Sequence, residues 1–155
     1  MKSHRTYRAK NGGFTLIEIL VAIGIFMVIA VMTVTMGMNS IGRSVVEEDR
    51  DLLVILLNDA RANALANVNE SRHGVHITSD GSQYTVFEGD DFATSDVSTH
   101  RDVERAEHVT VSPLGGEVVF DRLSGDAYAG AGTVTLSQDA LSLDININSI
   151  GRIEW

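Results

Sequence analysis

Hydrophobic and polar positions divide the chain into stretches of different period. From Phe14 to Met38 the sequence FTLIEILVAIGIFMVIAVMTVTMGM is apolar on every side and carries one charge, Glu18; from Ile19 to Gly42 there is none. These 25 residues, at about 1.5 Å each, make a helix of roughly 37 Å, longer than the hydrocarbon core of a bilayer at about 30 Å. A helix of a soluble domain shows an apolar stripe rather than an apolar surface, so residues 14–42 are predicted to be a transmembrane helix. From Ser44 to Asn67 the helical period persists but turns amphipathic. Leu53, Leu57, Ala60 and Ala64 fall on one side, and Glu47, Glu48, Asp51, Asp59 and Arg61 mark the wetter one. That stripe predicts docking on the chain's own sheet.

Past Asn69 the period becomes two. Val75–Thr78 and Tyr84–Phe87 read as a hairpin around Ser79-Asp80-Gly81-Ser82. Residues 88–107, EGDDFATSDVSTHRDVERAE, are polar and acidic and predict a long surface loop. Short strands at Val109–Ser112 and Val118–Phe120 flank Pro113-Leu114-Gly115-Gly116, and Gly125–Gly132 reads as a glycine/alanine connector. Thr133–Leu136 and Leu141–Asn148 alternate again, and a last strand closes the chain at Trp155, an aromatic expected to cap the core. The expected fold is α+β: a long N-terminal helix packed on an antiparallel sheet.

Charge gives the chain a direction. The 155 residues sum to −9, but residues 1–13 hold Lys2, Arg5, Arg8 and Lys10 with no acid, which is +4, and the other 142 residues carry −13. Basic flanks stay on the cytoplasmic side, so the N-terminus is expected inside and the acidic remainder exported. No A-x-A-like cleavage site follows Met38, so the apolar segment is expected to be retained. With no cysteine, disulfide scaffolds and thiolate metal sites are excluded.

The residues entering the apolar run are Asn11-Gly12-Gly13-Phe14-Thr15-Leu16-Ile17-Glu18. They resemble the class III signal of type IV pilins and type II secretion pseudopilins. The resemblance implies a pilin-like fold and a basic leader, 1–13, removed by a prepilin peptidase between Gly13 and Phe14. It also implies N-methylation of Phe14, with Glu18 as fifth residue of the mature chain, steering assembly by pairing with the amine of Phe14. The implied partners are other pilin or pseudopilin subunits, the inner-membrane assembly platform and membrane lipid. Beyond the filament helix the plan would be an amphipathic half, 43–69, and a sheet domain, 70–155. Asp59–Leu65 running into Gly74–Ile77, Val118–Asp121 with Gly125, and Ile145–Asn148 with Gly151-Arg152-Ile153 resemble the GspH/FimT minor pseudopilins and minor pilins. Some relatives in that branch bind DNA during uptake.

Other chemistry finds little support. His73 and His76 would point to opposite faces of a strand; with His100 and His108 scattered, no zincin spacing arises. Glu88, Asp90, Asp91 and Asp96 offer oxygen ligands to calcium, but not at EF-hand spacing. No nucleophile elbow, phosphate loop or dinucleotide fingerprint is present, so neither an enzyme nor a cofactor is expected. DNA binding needs several basic contacts on one face. Arg101, Arg105 and Arg122 are the candidates for a cluster in space, each beside an acid, and Arg152 is flanked by Glu154.

Overall fold

The computed structural model describes residues 14–113 and 115–155, the side chains of 32–42 excepted. One helix, α1, runs Leu16–Leu65, and the chain divides into two units, residues 1–39 and 40–155. In the first unit Thr15 opens the helix. Its Oγ1 accepts the Glu18 N–H at 3.3 Å, and its carbonyl accepts those of Glu18 and Ile19 at 3.1 and 3.3 Å. Every described side chain from Phe14 to Val31 is exposed. Among the described residues no helix is long and apolar enough to cross a membrane; the predicted span also needs residues 32–38, whose side chains lie outside the description.

In the second unit the predicted stripe is the buried face of α1: Leu53, Leu57, Ala60 and Ala64 are at most 1% exposed. Asn67 stops the helix in the left-handed region (φ 53°), which asparagine tolerates better than most residues. Asn69 and Glu70 follow with φ 52° and 53° and turn the chain into the first strand.

Among the described residues nine strands follow: β1 His73–Ile77, β2 Gln83–Glu88, β3 Arg101–Glu104, β4 Thr110–Ser112, β5 Glu117–Phe120, β6 Ala127–Ala129, β7 Gly132–Gln138, β8 Leu141–Ile147 and β9 Ile153–Glu154. They form two antiparallel sheets rather than the one expected, in the orders β3-β2-β1-β5-β6 and β4-β7-β8-β9. The strands flanking Pro113 do not pair with each other; β4 joins β7, and β5 joins β1. Two segments expected to be irregular contain strands. β3 lies inside the acidic stretch, where Val103 is its only apolar residue, and the free side of β2 supplies its pairing. β6 lies inside the glycine/alanine connector, pairing with β5 across a register shift at Val119/Phe120.

The helix stripe and the inner faces of both sheets share one core. Val75, Ile77, Tyr84, Val86, Val118 and Phe120 come from the first sheet, and Val111, Val134, Leu136, Ile145 and Ile147 from the second. Inside it sits an ion pair that the sequence pattern hid. Asp49 Oδ2 accepts Arg105 Nη2–H at 2.6 Å, both side chains being at most 1% exposed, and Tyr84 OH lies 3.4 Å from the same oxygen. Arg105 also donates to the carbonyls of Gly81 and Val109 at 2.5 and 3.2 Å. Burial is the largest single influence on the Arg105 charge and opposes it, but the hydrogen bonds and charges of Asp49 and Tyr84 together outweigh it and the pKa is raised. Burial, reinforced by the Asp49 charge, pushes the Tyr84 phenol above its usual range. Truncating one member of a buried pair strands the other charge. Asp49→Ala is therefore expected to cost about 3–5 kcal/mol in urea unfolding, with Asp49→Ala/Arg105→Met recovering a large part of it.

Candidate functional site

Phe14 is 80% exposed and precedes the helix, and Glu18 occupies its exposed first turn. Gly13 and the leader lie outside the described residues. Thr15 and Glu18 have the T-x-x-E spacing of a capping box, and the Thr15 Oγ1 half of that box is formed. The spacing was legible in the sequence, but the resemblance to a processing signal masked its local role. A carboxylate in the first turn also meets the positive end of the helix dipole. Around it, Leu16, Ile17, Ile19 and Leu20 are 49–81% exposed. Among the described residues Glu18 has no ion-pair partner. The segment is a surface that only other apolar surfaces can cover.

The remaining sequence candidates separate. The acids of the 88–96 stretch are engaged one by one. Both Glu88 oxygens accept Asn69 Nδ2 at 3.0 Å, and Asp90 pairs with Arg72 at 2.6 Å. Asp91 binds Thr94, and Asp96 accepts the Ser98 N–H. That last bond holds the Asp96 carboxyl below its usual range. Asp80, bonded to Ser82 in the β1–β2 turn, is lowered further, to about 2. Among the described residues no three His, Asp or Glu side chains converge as metal ligands. His73 faces the core, with Nε2 3.1 Å from Val68 O, while His76 lies on the other face, stacked on Phe92.

The arginines considered for a basic patch do not cluster. Arg101 pairs with Asp59 at 2.9 Å, Arg105 is buried against Asp49, and Arg122 donates to Glu70 O at 3.1 Å. Each serves a different anchor point. Trp155 does not cap the core either: it is 63% exposed, because β9 is two residues long and ends before it.

Three residues far apart in sequence do meet. Arg61, half-buried on α1, donates from Nε to Gly125 O at 3.0 Å and from Nη2 to Ile150 O at 3.2 Å. Gly125 (φ +67°) lies against Leu65, and Gly151 (φ +71°) lies so close to Gly125 O that a Cβ there would sit 1.9 Å from it. The guanidinium thus ties a turn from each sheet to the end of α1, and only glycine fits at the point of closest approach.

The model of the prokaryotic N-terminal methylation motif matches residues 8–34. No curated protein and no solved structure matches the chain. The matched stretch is a class III prepilin signal, consistent with a type IV pilin or pseudopilin. It supports processing by a prepilin peptidase, assembly with other pilins and anchoring in a membrane through the N-terminal helix.

The junction at Arg61 can be tested by stability. Gly151→Ala forces a Cβ into a left-handed backbone against a carbonyl and is expected to cost more than about 2 kcal/mol. Arg61→Met leaves two carbonyls without their donor and is expected to cost about 1–3 kcal/mol. Urea midpoints of both variants beside the unaltered chain measure these losses.

Proposed function

We propose that the chain is a minor structural subunit of a type IV pilus or type II secretion pseudopilus, most similar to the GspH/FimT minor pseudopilins. The observation that carries this is the methylation motif over residues 8–34 together with the start of α1, where every described side chain from Phe14 to Val31 is exposed. A prepilin peptidase cuts between Gly13 and Phe14 and discards the +4 leader. Phe14 becomes the N-methylated terminus, and Thr15 caps the new helix start. Glu18, the fifth residue of the mature chain, then meets the positive Phe14 amine of its own or a neighbouring subunit. In a bundle of apolar helices that pairing neutralises two charges that would each be costly alone, and so sets the axial register.

In this reading the helix holds the subunit in the membrane until assembly and then buries itself among other such helices. The chain performs no catalysis and needs no cofactor. The partners are the peptidase, other pilin or pseudopilin subunits, the inner-membrane assembly platform and lipid. The N-terminus is cytoplasmic before processing and the sheet domain is exported. A DNA-uptake role is the weaker reading, since Arg101 and Arg105 are spent on Asp59 and Asp49 and the exported part beyond Gly42 carries −12.

Mass spectrometry of the chain recovered from membranes is expected to show a terminus at methylated Phe14; an intact Met1 leader rules the reading out. Glu18→Gln is expected to be processed normally yet to enter filaments poorly when expressed beside the unaltered chain, as measured by its share of the sheared fraction.

A further inference from the structure

On the first sheet, the face opposite core-lining Val75 and Ile77 carries a polar row. The register sets Glu117, His76, Thr85 and Asp102 directly opposite one another across β5, β1, β2 and β3. Thr85 Oγ1 donates to Asp102 Oδ1 at 2.6 Å. Residues 89–100, between β2 and β3, reach this face through Phe92, whose ring lies flat between two imidazoles. Its centroid is 3.9 Å from that of His76 with the planes 4° apart, and 4.9 Å from that of His100 with the planes 21° apart. Buried Phe87 meets both Phe92 and His100 edge-on, at 5.6 and 6.4 Å. Gly74 makes room for it: a Cβ at Gly74 would come within 2.7 Å of the Phe87 ring. The Phe92 backbone is fixed at both ends. Its N–H donates to Glu117 Oε2 at 2.8 Å, and its carbonyl accepts from Ser95 Oγ at 2.7 Å. Ser95 Oγ in turn lies 2.7 Å from His100 Nε2.

We propose that residues 89–100 are an acid-released lid on this face, with the His76–Phe92–His100 stack as the latch. The stack suits a neutral His76. Its Nδ1 is buried without a partner, so a proton added there would have no acceptor. Burial accordingly lowers the His76 pKa from 6.5, with His100 acting in the same direction and Glu117 on β5 against it. On β2 the group opposite is the uncharged Thr85, whose hydroxyl is held by Asp102 of β3. Glu117 already holds the Phe92 amide, so drawing it toward an imidazolium competes with holding the lid.

The sign follows from linkage. His76 in the closed form has a lower pKa than the same residue hydrated in an open form. Closure is therefore fully favoured above about pH 6.5 and is lost as the pH falls below it. Opening uncovers Phe87 and Phe92, a local apolar surface, while the main core stays shut.

Hydrogen exchange of the full chain in detergent micelles, followed by mass spectrometry from pH 7.5 to 5 and corrected for intrinsic rates, tests this. Peptides spanning 89–100 are expected to lose protection in acid while those of α1 and β7–β8 keep theirs. In His76→Phe, a flat ring that cannot be protonated, the loss is expected to vanish. Should that variant not fold, His76→Gln is expected to give a lid whose protection, high or low, no longer depends on pH. Constant protection across the range in the unaltered chain overturns the proposal. So does simultaneous loss in every strand, or an unchanged acid response in the His76 variants.

Discussion

The second unit depends on one stripe of α1. Among the described residues, Leu53, Leu57, Ala60 and Ala64 form a continuous apolar face in the core that both sheets share. Ala60 and Ala64 are fully buried along this stripe, and the leucines fill the space one and two turns earlier. With no cysteine to staple the domain, packing along that stripe carries the work a disulfide could otherwise do. The Arg61 junction has the same logic in polar form: a single helix side chain satisfies a carbonyl from a turn of each sheet.

Asp49 shows how a charge can lie on an apolar face without contradiction. It sits one turn before Leu53, on the buried side, among the wetter Glu47, Glu48 and Asp51. Its partner, Arg105, lies 56 residues away in the connection after β3, beyond the reach of any local pattern. The pair costs desolvation, but it fixes the connection between β3 and β4, a stretch with no strand pairing of its own, to the helix.

That contrast explains what was legible in the sequence. Periodicities carried by several apolar residues came through: the helix stripe, the β1–β2 hairpin, and the alternation of β7 and β8. What failed was information held by partners. β3 has one apolar residue and β6 is alanine and tyrosine, so their strand character comes from the edges of β2 and β5. The division into two sheets was invisible because Pro113 sits where a hairpin turn is expected, yet β4 and β5 on either side pair elsewhere. For the candidate site the reverse holds. Phe14 and Glu18 were marked by the resemblance of the residues around them to a prepilin signal, and the structure added the Thr15 side-chain cap on the Glu18 N–H.

The continuity of α1 has a consequence for force. A pull delivered along the helix axis within residues 40–65 would load the stripe in shear, stressing its contacts with both sheets at once instead of peeling strands away one by one. The sheets lie beside the line of tension rather than in it. A domain built this way can be carried by its helix as a passenger, and its strand ladders need bear none of the load.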